Sequence, residues 1–108
     1  MAVVLVPVAS DKAGPWKAFA EELTGPKKAE FSEFNARYQL TKHEAWWCET
    51  QAGYFVVAIH EGAGADSFLK KLGASNHKFD TWFRDKLQDI HHMDLSKPPP
   101  GPMPIRKI

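Results

Sequence analysis

Residues 54–61, YFVVAIHE, constrain the fold of this chain more than any other segment. Aromatic and β-branched side chains dominate it, and these fit a pleated, buried surface. Alternation along a strand puts Phe55, Val57 and Ile59 on one face and Tyr54, Val56 and Ala58 on the other. Both faces are apolar. An antiparallel strand with one face in water alternates more cleanly. The sheet that holds this strand is therefore expected to be covered on both sides.

The remaining elements fall around it. Residues 2–8, AVVLVPV, read as a valine-rich strand buried on both faces, and Pro7 near its end suggests an edge or a terminus. Residues 12–40 read as a broken helix. Trp16, Phe19, Ala20 and Leu23 form the apolar side of its first half. Thr24-Gly25-Pro26 breaks it, with Thr24 as a cap for the second half, whose apolar side is Phe31, Phe34 and Tyr38. Residues 43–50, HEAWWCET, read as a strand joined to 54–61 through Gln51-Ala52-Gly53. A turn, Gly62-Ala63-Gly64, leads to a short helix at 65–72. Residues 75–95 then read as one long helix capped by Ser75 or Asn76, with an apolar stripe of Phe79, Trp82, Phe83, Leu87 and Ile90. A second, polar stripe on that helix carries His77, Asp80, Arg84, Gln88 and His91. Residues 96–104 hold five of the chain's eight prolines and read as an extended arm. Residues 105–108 read as a possible terminal strand.

This order gives an α+β fold of the ferredoxin-like plan, β-α-β-β-α-β, with an antiparallel sheet and helices on one face. The 108 residues suffice for a single domain over 1–108. The sheet face left over by the helices is apolar, and a second copy of the same sheet is the simplest cover, so a homodimer is expected.

The layout resembles the dimeric α/β-barrel superfamily. The segments EAWWCET, YFVVAIHEG and SNHKFDTWFRDKLQDIHHMDL, followed by the proline run, resemble those of a family of small uncharacterised bacterial proteins of that type. The resemblance implies a barrel shared by two chains, with a pocket between sheet and helices. Characterised members of the superfamily include cofactor-free quinone-forming monooxygenases, haem-degrading enzymes and polyketide cyclases. That likeness is one of fold, and fold does not carry function.

Charge narrows the partners. A net charge of +1 gives no reason to expect nucleic acid or an acidic membrane surface. A single cysteine cannot form an internal disulfide, which favours a reducing compartment. Residues 3–8 are too short for a secretory core and lack a basic leader, so a cytoplasmic location is expected.

His60 is the leading candidate for acid–base chemistry. It ends the apolar strand on the same face as Tyr54, and a histidine beside a tyrosine on a sheet floor can move protons. His77, Asp80 and Arg84 share a helical face, where a carboxylate can orient the imidazole and a guanidinium can hold an anionic group. Their plain alternative is a helix cap followed by an Asp80–Arg84 surface pair. Trp47 shares a strand face with His43 and is expected to line a ligand site or simply to fill the core. Cys48, without an adjacent base, reads as an inert thiol. No paired-cysteine or HExxH spacing supports a metal, and no cofactor is predicted. Haem ligation through a single histidine such as His77 stays open. The expected function is binding of a small, mostly apolar or aromatic ligand, with cofactor-free catalysis as an extension. The alternatives are a haem-binding or haem-degrading protein and a non-catalytic interaction protein.

Overall fold

The computed structural model describes residues 1–95 and 107–108. It is an α+β fold with a three-stranded antiparallel sheet and four helices. The strands are β1 (Ala2–Val8), β2 (Lys42–Thr50) and β3 (Gly53–Glu61), and the helices are α1 (Ala13–Thr24), α2 (Lys28–Arg37), α3 (Phe68–Ala74) and α4 (Lys78–His91). Strand order is β1-β3-β2, so the most apolar strand sits in the middle and the proline-bearing β1 lies at an edge. Val4 opposes Ala58, which in turn opposes Ala45, and this register aligns the even positions of β1 and β3 with the odd positions of β2.

Those aligned positions form the face that meets the helices. Val4, Val8 and Val56 are buried there, under a cluster centred on Phe34, Phe68, Leu72 and Ile90. Aromatic rings fill most of the layer. Phe34 stacks on Phe83 at 4.8 Å and meets Phe68 edge-on at 5.6 Å, both within the range of favourable ring pairs.

Local chemistry explains the helix ends. Thr24 closes α1 and does not cap α2, because its hydroxyl donates back to the Ala20 carbonyl at 3.0 Å. Gly25-Pro26 then forces the break. The N-cap of α4 is His77, not Ser75 or Asn76, and its Nδ1 accepts from the Phe79 amide at 3.2 Å. Ser75 serves one step earlier, accepting from the His77 amide at 3.2 Å. The helix ends at His92, which takes a left-handed conformation at φ 55°.

Among the described residues no helix lies over the opposite sheet face. Leu5 is 55% exposed and Trp46 58% exposed, and both belong to the same row as Val57. The expected double coverage therefore does not come from this chain's own described residues. The proline arm and residues 105–106 lie outside the described residues, and Lys107–Ile108 carry no regular structure.

Candidate functional site

Between the sheet and the helices lies a cavity of about 200 Å³. Val4, Val6, Ala45, Val56 and Ala58 form its floor, and Phe19, Phe31, Phe83 and Leu87 are among the side chains that roof it. The small side chains Ala45 and Ala58 leave the space, since they face each other across β2 and β3 where larger residues would fill it. Among the described residues no lysine, arginine, aspartate or glutamate lines this cavity. Its polar wall consists of Thr24 and three histidines, His43, His60 and His91.

His60 is 3% exposed, and its Nδ1 is buried with no hydrogen-bond partner. Such a group is uncommon in a folded protein, because losing water without a replacement partner costs about 1–3 kcal/mol. His43 stands directly across the ladder, with ring centroids 4.7 Å apart and planes at 81°. His43 Nδ1 lies 2.8 Å from the Asn35 side-chain oxygen. An amide oxygen only accepts, so Nδ1 carries the ring proton and Nε2 is left as an acceptor. Phe68 packs edge-on against both rings, at 4.8 Å from His60 and 5.3 Å from His43.

Burial keeps these imidazoles neutral. It lowers His60 to a pKa of about 4. It lowers His43 to about 3, with a further push from His60. His91, at the end of α4, is lowered by burial, while a hydrogen bond to the Pro7 backbone works the other way. Its Nδ1 is also buried without a partner. His60 additionally borders a second cavity of about 240 Å³ formed with Met1–Val4, Ala65, Asp66 and Leu69.

The other candidates lie elsewhere. Tyr54 is six residues along β3, where its ring packs on Trp47 at 5.2 Å. Trp47 stacks in turn on Trp16 at 5.1 Å and donates from its indole nitrogen to Glu49 at 3.0 Å. Only Trp16 of these three borders the cavity.

The helical stripe is divided among structural contacts. Asp80 is fully buried and accepts from Arg37 Nη2 at 2.6 Å and Nη1 at 3.1 Å, from the Tyr38 hydroxyl at 2.6 Å and from the Ser75 hydroxyl at 2.7 Å. Its partner is thus Arg37 on α2 and not Arg84. Burial alone would raise the Asp80 pKa, but the bonds from Arg37, Tyr38 and Ser75 outweigh it and hold the group at about 2. Arg84 instead donates to the carbonyls of Ser75 at 2.6 Å and Leu72 at 2.8 Å, closing the end of α3. His77 is exposed and engaged as the cap of α4. The structure does not bring His60 together with this stripe.

Sequence reasoning singled out His60 but not His43 or His91 as cavity residues. His43 was legible in part, since strand alternation groups it with Ala45 and Trp47 but does not say which face meets the helices. His91 gave no comparable signal, as its adjacency to His92 pointed to no shared site.

Among the described residues no group of three or more histidine, cysteine, aspartate or glutamate side chains is placed to hold a metal ion, and no helix is long and apolar enough to cross a membrane. The fold and the site define an α+β protein with an apolar cavity walled in part by neutral histidines. No family model matches the chain, and no curated protein or solved structure gives a match.

Proposed function

We propose that this protein binds a small, mostly apolar ligand between its sheet and its helices, on a ferredoxin-like plan of the dimeric α/β-barrel kind. The observation that carries the reading is a largely apolar cavity bordered by His60, whose Nδ1 is buried and unpartnered. A cavity that only reflected loose packing would be lined by apolar atoms alone. At about 200 Å³ the space exceeds the roughly 150 Å³ that holds benzene and falls short of the roughly 300–1,000 Å³ of drug-sized sites. A single ring suits a space of this size. Binding has stronger support than turnover, since a histidine with a pKa of about 4 is a weak base at neutral pH.

The ligand reading is tested by thermal unfolding with saturating toluene. The wild-type midpoint is expected to rise, and Ala58→Leu, which fills the floor, is expected to lose that rise. Unchanged midpoints for wild type with toluene and other single-ring compounds would remove the proposal.

The same reading includes a homodimer formed through the open sheet face. Its support is a row of Leu5, Val57 and Trp46 across three strands, with the Lys42–Glu61 ion pair at 3.5 Å at one end. An apolar centre with charged residues at its edge is the usual anatomy of a chain–chain interface.

A further inference from the structure

We infer that the ligand is a neutral single-ring aromatic compound carrying one hydroxyl group, held by a hydrogen bond from that hydroxyl to His43. The inference deepens the binding reading above and rests on it.

Charge is the first filter. Among the described residues no ionised side chain lines the cavity. A carboxylate or ammonium entering it would lose its water and meet no counter-ion, a cost far above one hydrogen bond. The ligand is therefore uncharged. Shape is the second filter. Trp16, Phe19, Phe31, Phe68 and Phe83 all border the space, and such walls favour a flat ring offered edge or face.

Hydrogen bonding is the third filter, and it separates a hydroxylated ring from a plain one. The Asn35 oxygen at 2.8 Å commits the His43 proton to Nδ1. His43 lines the cavity, and with the proton on Nδ1 its Nε2 is an acceptor. His60, whose ring stands 4.7 Å away, adds a second nitrogen without a partner. A hydroxyl donates one bond, which His43 can accept. An ether or ketone cannot donate to His43, and a hydrocarbon satisfies neither ring.

The test compares phenol, toluene and benzoate on the full chain, by calorimetry or by the fluorescence of Trp16. Phenol and toluene have nearly the same shape and differ in the hydroxyl. Phenol is expected to bind at least about tenfold more tightly than toluene, the effect of one well-made buried hydrogen bond. Benzoate is expected not to bind. In His43→Phe, which keeps a ring of similar size, the preference should vanish or reverse while toluene still binds.

Equal preference for phenol in wild type and His43→Phe would overturn the inference and leave apolar binding standing. Benzoate binding as tightly as phenol would also overturn it. Binding of none of the three would remove the binding reading itself. Should His43→Phe fail to fold, anisole on the wild-type protein decides the point. It keeps the oxygen and lacks the donor, so affinity equal to that of phenol rejects the hydrogen bond to His43.

Discussion

His43 and His60 occupy directly opposed positions on β2 and β3, and their imidazole rings meet edge to face with centroids 4.7 Å apart. Two histidines this close inside an apolar layer cannot both be charged. Burial lowers one to about 3 and the other to about 4, from an ordinary 6.5. The consequence is a defined pH dependence. Each folded pKa lies below the unfolded value, so the unfolded chain binds more protons as the pH falls below 6.5. Stability is fully present above about 6.5 and is lost towards pH 4 and 3. Each histidine contributes a slope of up to about 1.4 kcal/mol per pH unit in that window. Urea titrations from pH 7 to pH 4 should show the loss. His43→Phe should flatten the slope by one proton. A flat profile in the wild type would mean that the rings are solvated.

How much of this was legible in the sequence follows from the range of each contact. The central strand, its two apolar faces and the position of His60 on the helix side all follow from period-two alternation, which is local. The apolar stripe of α4 is equally local. The partner of Asp80 was not legible. Helical spacing offers Arg84 four residues on, but the structure supplies Arg37, 43 positions away on α2. A polar stripe reads as one functional surface when each member is judged only against its helix neighbours. In the fold, Asp80 turns to α2, Arg84 to the end of α3 and His77 to its own helix terminus. The cavity was beyond sequence for the same reason, because His43, His60 and His91 come from three elements.

Asp80 should be among the costliest single sites to change. It is fully exposure-free and accepts from three side chains on two other segments. Asp80→Ala leaves the Tyr38 and Ser75 hydroxyls and the Arg37 guanidinium without their acceptor. A loss of about 3–5 kcal/mol is expected, the range for breaking a buried charged pair from one side. Chemical denaturation measures it. Asp80→Asn keeps the shape and should lose less. A change under about 1 kcal/mol for Asp80→Ala would show that the cluster is solvated.

The turn after β3 carries glycines for a steric reason. A Cβ on Gly64 would stand 1.8 Å from the Tyr38 carbonyl oxygen, and one on Gly62, at φ 121°, would stand 2.3 Å from that of Gln39. Both backbones press against the segment that ends α2, and Gly64 donates its amide to the Gln39 carbonyl at 3.2 Å. The glycines thus serve close backbone approach. Gly64→Ala is expected to destabilise the fold by about 2–4 kcal/mol, through a clash with backbone that cannot swing aside. Gly14→Ala, where a Cβ meets nothing within 4 Å, is the matched control and should be neutral or stabilising. Thermal unfolding of the two variants compares them directly.

The open sheet face decides the assembly. On the helix side the rows of the sheet end under aromatic rings, while on the other side Leu5, Val57 and Trp46 form a row with more than half of Leu5 and Trp46 exposed. Phe55 and Ile59 flank Val57 on the same face of β3 and are only half-buried. Contiguous apolar surface of this kind marks an interaction site in a folded protein. A second copy of the same sheet would bury it, consistent with the proposed dimer. Sedimentation velocity at micromolar concentration should then give a mass near twice 12.2 kDa. Leu5→Lys and Trp46→Glu each put a charge at one end of the row without touching the helix-side core. Each should weaken self-association by at least about tenfold while leaving the monomer folded. A wild-type chain that stays monomeric at those concentrations, with both variants sedimenting identically, would mean that the face is not covered by a second copy.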